Sequence, residues 1–128
     1  LEADLAFFGI ECGAIAPLRA TQKLCDDIDR LAATSPLALL GVYYVFEGSK
    51  NGARYIAKAV GAAFGLQDGK GLRYLDPHGP QQRPLWQDFK TRMDAIPFSA
   101  DEQESMIRAA QLTFDRVSEL DDEMHQAG

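Results

Sequence analysis

This sequence is poor in cysteine, in long apolar runs, in positive charge and in strand-like alternation, and each shortage excludes something. Cysteine occurs twice in 128 residues, at Cys12 and Cys25. That is too few for a secreted disulfide scaffold, and the spacing matches no zinc or redox motif. Both read as small buried or half-buried apolar residues. The longest uncharged apolar run, Pro36 to Phe46, is too short to span a bilayer, and no basic-then-apolar leader stands at the amino end. The net charge is -6, so the molecule as a whole repels a phosphate backbone, which argues against nucleic acid as a partner. Sustained period-two alternation, the mark of a half-buried strand, is found nowhere. What remains is a single domain over residues 1–128, cytoplasmic by default, with 46% hydrophobic residues to build a core without disulfides or a structural metal.

The positive signal is helical periodicity along almost the whole chain. A helical pattern starts at once in Leu1-Glu2-Ala3-Asp4-Leu5-Ala6-Phe7-Phe8, with no initiator Met, so the chain reads as a piece of something longer. This first helix should end at Gly9 or soon after, ahead of a loop through Gly13 and Pro17. Thr21 is placed to cap a second helix whose apolar stripe is Leu24, Ile28 and Leu31, opposite Lys23, Asp26, Asp27 and Arg30. Ser35-Pro36 is a start signal, with Pro at the first helical position, where its missing N–H costs nothing. The run Leu37 to Phe46 is apolar all round, which places its helix in the middle of the domain. A helical pattern resumes from Arg54 to Phe64, with Gly65 as carboxyl-terminal cap. One long helix is therefore expected, interrupted or nearly so between Gly48 and Gly52. Leu66 to Gln82 is rich in Gly, Pro, Asp and Gln and reads as a long loop with turns at Asp68-Gly69 and Asp76 to Pro80. Pro84 opens a short helix to Ala95, in which Trp86 and Phe89 read as core anchors. Ser99 and Glu102 have capping-box spacing ahead of a last helix, with a stripe of Met106, Ala110, Thr113 or Phe114, Val117, Leu120 and Met124.

The informative segment is the glycine-punctuated one. Glycine inside a helix costs about 1 kcal/mol relative to alanine. Gly41, Gly48 and Gly52, seven and four residues apart, fall on one face at helical pitch. A face without side chains admits close approach, either by a second helix, which spacing alone favours, or by a flat ligand. Tyr43, Tyr44 and Phe46 supply aromatic walls, and Ser49, Lys50 and Asn51 supply polar groups able to order water or a bound diatomic.

The stretch Leu40-Gly41-Val42-Tyr43-Tyr44-Val45-Phe46-Glu47-Gly48-Ser49-Lys50-Asn51-Gly52-Ala53-Arg54-Tyr55-Ile56-Ala57 resembles the distal helix of heme oxygenases, particularly the bacterial biliverdin-producing group. That group carries Tyr-Val-x-Glu-Gly-Ser, two variable residues and a glycine pair. The likeness continues through Tyr74 to Gly79, Trp86 to Met93 and the last helix. The resemblance implies an all-α, multi-helical heme-oxygenase-like bundle with a kinked Gly-rich central helix, this chain being the carboxyl-terminal two-thirds of the full domain. It implies that Gly48 and Gly52 let the helix lie close over heme and leave room for oxygen. Ser49 falls where mammalian members have a water-ordering Asp, and Ala53 replaces the second glycine of the pair. Lys90 falls at or near a basic residue that clamps a heme propionate, with Arg92 as a second candidate, and Tyr43 matches an aromatic at the heme edge. Heme is then substrate and cofactor, opened with O2 to biliverdin, CO and iron. Electrons come from a reductase or ferredoxin, and a bilin-using photoreceptor is a downstream partner. Ser49 and Ala53 would steer which ring edge is attacked.

One family feature has no counterpart. Family members hold iron through a proximal His on an amino-terminal helix, whereas the histidines here are His78, in the Gly/Pro loop, and His125, in the polar tail, both read as solvated. Two readings therefore stand: a heme oxygenase whose proximal ligand lies elsewhere, or a non-catalytic module of the same fold that binds a pigment or a protein. Asp122 and His125 have the spacing of a di-iron ligand pair but no second copy, so no metal site is assigned. Hydrolase elbows and phosphate-binding loops are absent.

Overall fold

The computed structural model describes residues 1–13 and 16–127. Residues 14 and 15, inside the loop expected between Gly13 and Pro17, lie outside the described residues. Five helices follow one another: α1 (Glu2–Phe7), α2 (Arg19–Thr34), α3 (Leu39–Phe64), α4 (Gln82–Asp94) and α5 (Ala100–Ala127). Short 3-10 turns at Pro36–Ala38 and Gly79–Gln81 precede α3 and α4. No strand occurs among the described residues, so the fold class is all-α, as the periodicity requires. The chain divides into two compact units, Leu1–Ile15 with Glu47–Ile96, and Ala16–Phe46 with Pro97–Gly128. Helix α3 contributes its first part to one unit and the remainder to the other.

In the unit built from α2, the start of α3 and α5, the core consists of small side chains. Ala38, Val42 and Ala109 are buried, and Ile28, Leu31 and Leu39 pack against them. Small residues at a crossing let backbones approach. At Gly41 a Cβ would stand 1.9 Å from the Met106 carbonyl oxygen, so only glycine fits there. Burying Val42 contributes about 2 kcal/mol, and the alanines contribute less. Polar cross-links supplement this thin core. Arg116 reaches Asp27 at 2.7 Å and Glu119 at 2.6 Å, while Lys23 reaches Glu119 at 2.9 Å. The hydrogen bond from Arg30 and the guanidinium of Arg116 together hold the Asp27 carboxyl below its ordinary value of 3.8, against the opposing effect of burial.

The start of α2 differs from the sequence expectation. Thr21 is not its cap: the helix begins at Arg19 after Leu18, with no side-chain cap from the capping residue itself. Instead the Glu123 carboxylate of α5 accepts the N–H groups of Arg19 at 3.0 Å and Ala20 at 2.7 Å. A carboxylate over the first turn satisfies two orphan donors and complements the helix dipole. The cap at the head of α5 is local and as expected: Ser99 N–H donates to Glu102 Oε2 at 2.8 Å, and Glu102 N–H donates to Ser99 Oγ at 3.3 Å. The buried face of α5 runs through Met106, Ala109 and Thr113. Phe114, Val117 and Met124 of the expected stripe are exposed, because the face that packs is one residue row round from them.

In the other unit, the long loop after α3 is pinned from α1. Asp4, only 6% exposed, accepts the Arg73 N–H on Oδ1 at 3.0 Å and the Tyr74 N–H on Oδ2 at 2.6 Å. Burial by itself would raise its pKa; the two N–H donors outweigh that and leave it below 3.8. Gly71 sits at φ +76 under the rings of Phe7 and Phe8, where a Cβ would come within 2.7 Å of Phe8. Gly65, at φ +64, ends α3 as expected, with the Leu66 N–H donating to the Gly61 carbonyl at 2.9 Å. Helix α4 starts at Gln82 rather than at Pro84, since the 3-10 turn before it supplies the first turn.

Three further expectations are overturned. Cys12 and Cys25 are both exposed: Cys12 lies in the α1–α2 connection, and Cys25 on the polar side of α2 beside Asp26. Helix α3 is unbroken across Gly48–Gly52, because glycine lowers helix propensity without removing an N–H donor. Nor is its amino-terminal part buried all round, for Tyr43, Tyr44 and Phe46 are 50%, 42% and 39% exposed.

Candidate functional site

The three glycines of α3 share a helix face but have different neighbours. Gly41 is claimed by the α5 backbone, as described above. At Gly48 a Cβ would meet the Trp86 ring, with Cη2 at 3.4 Å and Cζ2 at 3.7 Å, an ordinary contact. At Gly52 a Cβ would meet nothing within 4 Å among the described residues. Packing within the chain thus accounts fully for the first glycine, partly for the second and not at all for the third. Around Gly52 the exposed surface of α3 is largely apolar, with Ala59 exposed one row on and Tyr55 and Ile56 at 72% and 56% exposure. Ser49, also exposed, lies about 60° round the helix from Gly52. Ala53 is half-buried.

Polar groups next to the glycines are largely committed to the helix itself. Lys50 pairs with Glu47 one turn back, and the Asn51 amide donates to the Gly48 carbonyl at 3.1 Å. Both contacts support the helix where its glycines weaken it. They engage one donor each of Lys50 and Asn51.

Helix α4 brings a cation toward the glycine segment. Trp86, which touches the Gly48 position, stacks on Phe89 with ring centroids 5.6 Å apart and planes 25° from parallel. The Lys90 ammonium lies over the Trp86 ring, 5.6 Å from its centroid, in the geometry of a cation–π contact. Among the described residues no carboxylate pairs with Lys90, whereas Arg92 is bound to Asp88 at 2.8 Å. Of the two basic candidates, Lys90 is therefore the one held beside the glycine helix with its charge uncompensated. Sequence reading placed Trp86 only as a core anchor. Its pairing with Gly48, a large ring against a missing side chain, was the signal that could have linked α4 to the site.

The remaining candidates have other surroundings. Tyr43 lies on the part of α3 that belongs to the α2/α5 unit. His78 precedes the 3-10 turn before α4 and is exposed. The exposed His125 has Nδ1 2.8 Å from the Asp121 carbonyl; that contact and the Asp121 carboxylate raise its pKa above 6.5. Among the described residues no three metal-ligating side chains converge, and no helix is long and apolar enough to cross a membrane.

A bare glycine in an apolar, exposed helix face suits a flat apolar ligand, and a positioned ammonium nearby suits a carboxylate on its rim. Neither a curated protein nor a solved structure matches the chain. The family model described as heme oxygenase matches residues 1–122, almost the entire sequence, and on that match the chain belongs to the heme oxygenase family.

Proposed function

We propose that this chain forms the distal face of a heme oxygenase site, laying heme against the Gly52 surface of α3. There it is opened with O2 and electrons from a protein donor to biliverdin, CO and iron. The observation that carries the reading is the empty space at Gly52. A helix interior gives up about 1 kcal/mol for a glycine there, and no atom of the described residues lies within 4 Å of the missing methyl. The beneficiary is then a bound molecule.

The chain's own residues have distinct tasks in this reading. Gly52, with Gly48 one turn earlier, lets peptide groups of α3 approach the ligand plane. Ala53 narrows that approach on one side, and the Ser49 hydroxyl holds water and passes a proton from its Oγ. Lys90 binds a propionate carboxylate, fixing in-plane orientation, with Arg92 able to join if released from Asp88. Trp86 and Phe89 keep water from the Gly48 side. Heme itself supplies the oxygen chemistry.

Hemin added to the intact protein should give a shifted Soret band, and supplying ascorbate should convert the complex to biliverdin. A Gly52→Leu variant should keep its helicity and lose hemin affinity. A free-hemin spectrum from the intact protein would refute the reading. A stable complex with no ring opening would instead mark a non-catalytic binder of the same family.

A further inference from the structure

Two neighbouring cations of α4 are held in different ways. A helical cation pairs best with a carboxylate one turn toward the amino end. For Arg92 that place is taken by Asp88, which binds it at 2.8 Å. For Lys90 it is taken by Trp86, and the ammonium lies over the indole, 5.6 Å from the ring centroid. The ring itself is fixed. The outer edge of its six-membered ring rests against α3 at Gly48, with Cη2 3.4 Å and Cζ2 3.7 Å from the position of a Cβ there. Phe89 stacks on it, with ring centroids 5.6 Å apart and planes 25° from parallel. Trp86, Phe89 and Lys90 are all half-buried, so the ring and the lysine stem are packed rather than free in solvent.

We propose that Trp86 is a positioning residue for Lys90, an inference that rests on the heme reading above. The indole holds the ammonium at a fixed place beside Gly48, and through it the ligand's carboxylate edge and in-plane orientation against α3. A carboxylate at position 86 would also hold the ammonium, but it would neutralise the charge and have to be displaced before a ligand's carboxylate could bind. A π face attracts the ammonium without cancelling its charge, which stays available to a ligand. The indole also ties the cation to two helices at once, because it grows from α4 and is stopped by α3. Gly48 thereby gains a use within the chain. Its missing side chain lets a ring reach α3 and set the place of a cation carried on α4. Phenylalanine at position 86 would keep a π face but reach less far toward Gly48, and leucine would keep apolar volume with no π face.

The test compares the intact protein with Trp86→Leu, Trp86→Phe, Lys90→Met and the Trp86→Leu/Lys90→Met double variant. In the ligand-free protein the Lys90 ε-methylene should resonate upfield of the other lysines in proton–carbon NMR, moved by the indole ring current. That shift should vanish in Trp86→Leu and persist in part in Trp86→Phe. Hemin affinity should fall about two- to fivefold in Trp86→Leu, the worth of one cation–π contact, and recover in part in Trp86→Phe. In the Lys90→Met background the same Trp86→Leu change should cost nothing further. The hyperfine-shifted heme methyl signals of the ferric complex, which report in-plane orientation, should move the same way in Trp86→Leu and Lys90→Met. Equal loss of affinity in both backgrounds would make Trp86 a packing residue only and overturn the proposal. So would an unchanged affinity in Trp86→Leu, or a Lys90 resonance without a ring-current shift. If Trp86→Leu does not fold, Trp86→Met takes its place in the cycle, since a longer thioether chain fills irregular space. Failure of the wild-type protein to bind hemin would remove the functional reading and the orienting role together, while the ring-current shift would still show whether Trp86 holds Lys90.

Discussion

Replacing Gly41 and Gly52 separately by alanine should move stability in opposite directions, although both lie in the same helix and gain the same local propensity. That gain is about 1 kcal/mol in each case. At Gly52 nothing opposes it, since the new methyl meets no atom within 4 Å; the variant should be more stable by about 0.5–1 kcal/mol and melt about 2–4 °C higher. At Gly41 the methyl would lie 1.9 Å from the Met106 carbonyl oxygen, 2.8 Å from its carbon and 3.1 Å from the Ala110 nitrogen. All three are backbone atoms and cannot swing aside. Helices α3 and α5 would have to separate by at least about 1 Å, loosening Ala38, Val42 and Ala109 at the same crossing. Overpacking and lost contact together should exceed the propensity gain by about 2–3 kcal/mol, lowering the melting temperature by about 10 °C. Thermal and urea unfolding followed by far-UV circular dichroism would measure both. A neutral Gly41→Ala would refute the close crossing, and a destabilised Gly52→Ala would show that the chain itself covers that face.

Three other outcomes follow from the polar contacts. Asp4→Asn leaves one acceptor for two backbone donors and should cost about 2–3 kcal/mol in urea unfolding, with amides around Arg73 and Tyr74 losing hydrogen-exchange protection first. Glu123→Gln should cost about 1–2 kcal/mol and fray α2 from Arg19, read as faster exchange confined to its first turn. Asp4 and Asp27 have folded-state pKa values below the ordinary 3.8, so their stabilisation is present above that value and is lost as pH falls through the lowered ones. The urea midpoint should therefore hold down to about pH 5 and drop below about pH 4, and an Asp27→Asn variant should show a shallower drop.

Fold elements whose determinants lie within a few residues were legible in the sequence. The Ser99–Glu102 box, Pro36 at a helix start and Gly65 at a helix end each need only neighbours in the chain. Where the determinant is remote, local reasoning chose a wrong partner. Thr21 was the best nearby cap for α2, yet the cap is Glu123, 103 residues from Ala20. Nothing next to Asp4 in the chain marks its task, which is to hold a loop 69 and 70 residues away. Periodicity also overstated burial at Tyr43, Tyr44 and Phe46, because an apolar run records which residues are apolar and not how many neighbours they find.

The site posed a harder problem for the same reason. Helical spacing reveals that a glycine face exists and what it costs, but not which group uses it. Gly41, Gly48 and Gly52 are indistinguishable by spacing, yet one is required by the α5 backbone, one lies against an indole, and one faces open space. The choice between a packing helix and a flat ligand was therefore not a single choice, since packing explains one end of the face and leaves the other open. This also alters which substitution tests the site. A leucine at Gly48 would collide with Trp86 and confuse lost binding with disturbed packing, whereas a leucine at Gly52 intrudes only where the ligand is proposed to lie.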